Sequence, residues 1–281
     1  MVGQPPLDIR KLPAARGLAW LSGSWDLVKR QPLRLFLISF FFQFILSFSQ
    51  AGALGLVVIL CLPVLSAGLL HAFFLVENGS KPMLAILFMP FTSKDSTGAL
   101  LLLGAVSMLL ALAVVSLVVA GQVLQIDPDL ITRIEQGDLE ALQLIDPSVM
   151  ESAVLAMALG AVISGTITYF AVPLIWFRKR AMGSALVSGL KALGGNWKPL
   201  LVIGLFLGLL AVPIILLFGY FYVSAISSGA GSTMLAFVLL VIGPLFQLVL
   251  FGTQYLAFRD IFGLGERFGS VQKSSTDQLV A

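Results

Sequence analysis

Gln43, Ser47 and Gln50 stand at i, i+4 and i+7 in an otherwise apolar run, and Gln247 and Gln254 stand seven apart in another. On a helix each set shares one face. An amide surrounded by hydrocarbon needs a hydrogen-bond partner, so both faces are expected to turn inward. Two chemistries fit: interhelical hydrogen bonds that hold a bundle together, or a polar path for a substrate. His71 is the only histidine. It sits about a turn and a half from the end of its apolar run, too shallow for a mid-membrane proton relay, and reads as a packed or hydrogen-bonded residue.

Other chemistry is excluded by what is missing. Cys61 is the only cysteine, so no internal disulfide can form, and no Cys/His cluster offers a metal site. Asp127, Asp129, Glu135, Asp138, Glu140, Asp146 and Glu151 gather between residues 122 and 151. Their spacing matches no calcium loop, so a solvated acidic face is expected rather than calcium binding. There is no GxSxG, HExxH, P-loop or dinucleotide fingerprint. The expectation is a protein that is not an enzyme, with no catalytic residues, no cofactor and no metal.

These side chains must be positioned by elements that live in lipid. The chain is 58% hydrophobic and 11% charged, with a mean hydropathy of +1.01. A soluble chain carries about 25% charged residues and could not cover so apolar a surface. Six continuous apolar runs approach the ~20 residues a spanning helix needs: 33–48, 51–76, 98–121, 152–177, 200–224 and 233–258. Continuous runs satisfy their own backbone as helices, so an all-α integral membrane protein of six transmembrane helices is expected, in a single domain over 1–281. None of the runs has a central charge, which argues against a coupled pump.

Charge sets the orientation. With a cytoplasmic N-terminus, every Lys and Arg except Arg133 falls on the cytoplasmic side. The positive-inside rule then places both termini there, and the net charge of +3 serves topology rather than nucleic acid. Arg178, Lys179 and Arg180 read as an anchor at the inner end of the fourth run, with headgroup binding as the alternative.

Two amphipathic segments are expected at the membrane surface. In residues 17–31, Leu18, Leu21, Trp25 and Val28 share a side, and Trp20 and Trp25 suit the headgroup level. In 181–195, Met182, Leu186, Leu190 and Leu193 form a stripe. Each segment leads to a Pro-Leu start, at Pro32 and Pro199, which suggests a parallel internal repeat pairing spans one and two with five and six. The unequal distances from these prolines to Pro63 and Pro244 argue against a close match. "MLAILFMPF" at 83–91 is too short to span and is expected at the inner surface. Gly204 and Gly208 form a GxxxG, which permits close helix approach. The N-terminus lacks the compact apolar core of a signal peptide.

"PAARGLAWL", "QPLRLF", "LPVLSAGLLHAFF" and "LFMPF" together resemble a family of proteobacterial multi-pass inner-membrane proteins of unknown function. The resemblance implies a bacterial inner-membrane location and transfers no functional residue. Two functions stay open: an accessory or scaffold protein acting on membrane lipids or partner membrane proteins, and a permease-like transporter of a small or amphiphilic molecule.

Overall fold

The structure is a computed structural model. It describes residues 7–50, 52–123, 128–136, 144, 146–228 and 231–264, with backbone alone at some positions, including Gln50, 218–228 and 231–240. The described residues form helices and no strand. The α-helices are α1 Arg16–Arg30, α2 Pro32–Ser47, α3 Gly52–Glu77, α4 Thr97–Val123, α5 Pro128–Glu135, α6 Pro147–Arg178, α7 Met182–Gly195, α8 Trp197–Ser228 and α9 Gly231–Phe262. Among the described residues five helices, α3, α4, α6, α8 and α9, are long and apolar enough to cross a membrane. The first apolar run, α2, is a helix of 16 residues. At 1.5 Å per residue it reaches ~24 Å, against a hydrocarbon thickness of ~30 Å.

Local chemistry sets the helix ends. Pro32 opens α2, where a missing N–H costs nothing. Asp146 caps α6 by accepting the Ser148 N–H at 2.8 Å, with Pro147 in the first helical position. Asp127, Asp138 and Glu140 of the acidic loop lie outside the described residues. Gly79 (φ 75°) closes α3: its own N–H bonds the Val76 carbonyl and the Ser80 N–H bonds the Leu75 carbonyl. This is the Schellman pattern, and glycine adopts its left-handed residue without a Cβ penalty. Lys179 (φ 51°) takes the left-handed position after α6, so the basic triplet is the corner between α6 and α7. Residues 84–87 and 89–92 form two short 3-10 turns, and Ile86 and Leu87 are buried beside Gly68 of α3.

α3 and α9 form the centre. Half of the apolar stretch of α3 and slightly more of that of α9 is buried, against fewer than one residue in five in α4, α6 and α8. α1 lies on α9 and α8, α4 on α6, and α7 on α6. Gly252 of α9 lets α1 close in, since a Cβ there would strike Ser24 and Phe73. Gly104 does the same for α4 against the Leu60 carbonyl.

The amphipathic helices bury only part of the expected stripes: Leu21 and Val28 of α1 are buried, and Met182, Leu186 and Leu193 of α7 pack against the core. α1 buries Trp20, Leu21, Ser24, Leu27 and Val28, and leaves Leu18 and Trp25 exposed. The cause is polar: the Trp20 indole N–H reaches a carboxylate on α9. α7 buries Ala185, Gly189 and Ala192, because small residues allow contact with the Phe170–Ala171 backbone of α6, and Leu190 is exposed. The two halves of the expected repeat differ in build. α2 has 16 residues and α8 has 32, and α1 packs mainly on α9 whereas α7 packs mainly on α6.

Candidate functional site

Gln43 of α2 and Gln247 of α9 line one cavity of about 720 Å³. Its walls come from α2, α3, α4, α6 and α9, and its lining is mostly aliphatic and aromatic. No charged side chain lines it among the described residues. The volume lies in the ~300–1,000 Å³ range of small-molecule pockets.

The two amides differ in how they are satisfied. Ser39 Oγ stands 2.9 Å from the Pro244 carbonyl oxygen and 3.0 Å from Gln247 Oε1. One hydroxyl carries one proton and cannot donate to both. The Pro244 carbonyl can only accept, so the hydroxyl donates there. The Gln247 amide is then best satisfied flipped, with its NH₂ on Ser39 and its carbonyl oxygen toward the cavity. Gln43 makes no hydrogen bond among the described residues, and its amide lies beside Gly243. Ser107 of α4 is buried on the same wall, and its hydroxyl has no partner. Free hydrogen-bonding capacity therefore faces the cavity from Gln43 on α2 and from the flipped Gln247 oxygen on α9, while the Ser107 hydroxyl is shut inside the wall, and an unpaired polar group is costly until something pairs with it.

Gln254, one turn pair further along α9, does a different job. Pro173 interrupts α6 and has no N–H, so the Tyr169 carbonyl four residues earlier loses its helical partner. The Gln254 side chain donates to that carbonyl at 2.6 Å. Gln254 also lines a second cavity of about 550 Å³ between α6, α8 and α9. The two cavities share Ser66, Gly165, Thr168, Val172, Leu250 and Phe251, so they meet at a common wall. Ser47 is exposed and bonds its own helix at the Phe44 carbonyl, and the side chain of Gln50 lies outside the described residues.

A separate polar network ties the other end of the bundle. Glu77 of α3 pairs with Arg259 and accepts the Tyr255 hydroxyl. Asp260 accepts from Arg259, from Arg16 and, at 2.8 Å, from the Trp20 indole. Every carboxylate oxygen of this set is engaged, so the network locks α1, α3 and α9 together. Sequence reasoning missed Asp260, which follows Arg259 directly beyond the sixth apolar run. It also missed Ser39 and Ser107, although Ser39 stands four residues before Gln43 and so continues that face.

His71 accepts the Trp176 indole N–H on Nδ1 at 3.0 Å and stacks on Phe177 with an interplanar angle of 9°. It is a packed, hydrogen-bonded residue outside both cavities. Lys179 lies 4.3 Å from the Trp176 ring and bonds Ser96 Oγ at 3.0 Å, and Arg178 donates to the Phe262 carbonyl. Arg180 follows in the same corner, its N–H on the Leu174 carbonyl.

No protein-family model, no curated protein and no solved structure matches this chain.

Proposed function

We propose that this chain is a non-enzymatic membrane protein of permease-like type, whose amide-lined cavity holds a small or amphiphilic molecule. One observation carries the reading: Gln43 and Gln247, about 200 residues apart in sequence, line the same cavity at membrane depth. If the amides served helix cohesion alone, Gln43 would be paired as Gln247 and Gln254 are. The partly satisfied lining suits a ligand that supplies the missing donor and acceptor.

The reading includes a bacterial inner membrane with the basic ends of the helices on the cytoplasmic side. Its support is that Arg16, Arg30, Arg178, Lys179 and Arg259 meet at one end through Glu77, Asp260 and the end of α9, as the positive-inside rule expects of a cytoplasmic face. The accessory or scaffold reading keeps its own observation. Gly204 and Gly208 of α8 meet nothing among the described residues, so this small-residue face is open to a partner helix.

Native mass spectrometry after mild-detergent purification tests the proposal. A small amphiphile bound one per chain, and lost in Gln43→Leu, is expected. An empty chain with a stoichiometric protein partner would overturn it in favour of the accessory role.

A further inference from the structure

The second cavity has a gap in its wall. α6 and α8 both line it, yet they make almost no direct contact among the described residues. Gly165 of α6 and Gly204 of α8 both line this cavity, and a Cβ added to either would meet nothing within 4 Å. Both helices are of spanning length and apolar, so the medium outside the gap is hydrocarbon.

Polarity is distributed unevenly between the two cavities, which abut at their shared lining residues. In the second cavity the hydroxyls of Thr166 and Thr168 are spent on carbonyls of their own helix, and Gln254 is spent on Tyr169. The Gln43 amide of the first cavity is unspent, and the Ser66 hydroxyl, with no hydrogen bond among the described residues, stands on the lining that the two cavities share. An occupant that spans both cavities would therefore place its polar end beside Gln43 and its apolar chain along the second cavity toward the gap. A charged head is ruled out on energetic grounds. No countercharge lines either cavity among the described residues, and burying a lone charge costs several kcal/mol or more.

We propose that the ligand is a single-chain lipid with an uncharged, hydroxyl- or amide-bearing head, which enters sideways from the bilayer between α6 and α8. This rests on the reading of the first cavity as a binding chamber, and it adds the ligand class and the route. The route also explains why no water-facing charged vestibule is needed: the substrate partitions into the membrane first.

The test uses the full chain in vesicles of phosphatidylethanolamine and phosphatidylglycerol, with two photoreactive probes of equal chain length. One is a diazirine monoacylglycerol, and the other is a diazirine lysophosphatidylglycerol, which carries a negative head. Peptide mapping should find the neutral probe on the Phe42–Leu46 and Ser107–Leu112 segments as well as on α6 and α8. The charged probe should label the first cavity about tenfold less, and Gly204→Trp and Gly165→Trp should each lower neutral labelling there about tenfold, the factor that 1.4 kcal/mol supplies. Because a Cβ at either position meets nothing within 4 Å, the main chain need not shift, and melting of both variants should stay close to the parent, which separates a plug from a misfold. Equal labelling by the two probes overturns the ligand class, and unchanged labelling in both tryptophan variants overturns the route. If neither probe reaches the first cavity while native mass spectrometry finds a water-soluble compound bound there, this inference falls and the chamber reading stands. If no ligand is bound in either experiment, both fall.

Discussion

The side-chain amide of Gln254 on α9 donates at 2.6 Å to the Tyr169 carbonyl on α6, the carbonyl that Pro173 strips of its helical partner. A defect in one helix is repaired by a side chain from another, and the repair fixes how α6 and α9 face each other. Gln254→Leu should destabilise the bundle by about 1 kcal/mol, within the range measured for intramembrane hydrogen bonds. Pro173→Ala restores a backbone donor for Tyr169, so the Gln254→Leu penalty should shrink in that background. A double-mutant cycle of unfolding in mixed micelles measures this, and equal penalties in both backgrounds would refute the repair.

Asp260 accepts from three donors on two helices, whereas Glu77 accepts from two on one. Removing a partly buried acceptor leaves its donors stranded. Asp260→Ala should therefore cost about 2–3 kcal/mol, and more than Glu77→Gln, which keeps one oxygen for Arg259 or Tyr255. Trp20 fluorescence should report the loss directly, since its indole N–H is released. Added salt should weaken the half-exposed Arg16 contact more than the less exposed Arg259–Asp260 pair, because screening acts mainly on charges open to solvent.

Gln43 and Gln247 look alike in sequence and should behave differently. Gln247→Leu removes the partner of Ser39 and should cost about 1 kcal/mol of stability. Gln43→Leu deletes an amide with no partner in the fold and should leave stability unchanged within about 0.5 kcal/mol. Ligand retention should fall in Gln43→Leu all the same. Thermal unfolding with and without extracted lipid separates the two effects.

Topology has its own check. With Cys61→Ala as background, Lys94→Cys should resist an impermeant maleimide applied outside intact cells, and Arg133→Cys should react. Reversed reactivity would invert the orientation proposed for the basic end.

The Ser148 N–H holds the Asp146 carboxyl below the usual carboxylate range. A carboxyl whose folded value is depressed stabilises above its unfolded value and loses that contribution as pH falls through the folded one. The first turn of α6 should therefore be fully capped at neutral pH and fray in acid below the ordinary aspartate range. Asp146→Ala should show that fraying already at neutral pH, as faster amide exchange at Ser148–Glu151, and should lose the acid dependence there.

Much of this architecture was legible in residue order. Hydrocarbon-compatible runs are set by local composition, so α3, α4, α6, α8 and α9 lie where apolar stretches predicted them. Pro32, Asp146 and Pro147 mark helix starts through rules that act within four residues. The position of the basic triplet after α6 is likewise local, since a run of cations ends an apolar span. The helical faces were harder to read. Apolar periodicity could not tell a lipid-facing side from a packed one, because in hydrocarbon both are hydrophobic. Hence Trp20 is buried and Leu18 exposed, and the Gly204/Gly208 pair faces open space while Gly104 and Gly252 make the close helix contacts.

Sequence alone determined that this chain belongs in a membrane, that it does so as helices, and that its amides are few enough to matter. Tertiary structure decided which amides are spent. Gln254 is consumed by a proline defect 81 positions away and Gln247 by a serine on α2, whereas Gln43 lines the first cavity with no hydrogen-bond partner among the described residues. The physical reason is that hydrogen bonding in a bilayer is settled between helices. A backbone carbonyl freed at one position is satisfied by whatever donor the packing brings within about 3 Å, and that proximity is not written in local sequence.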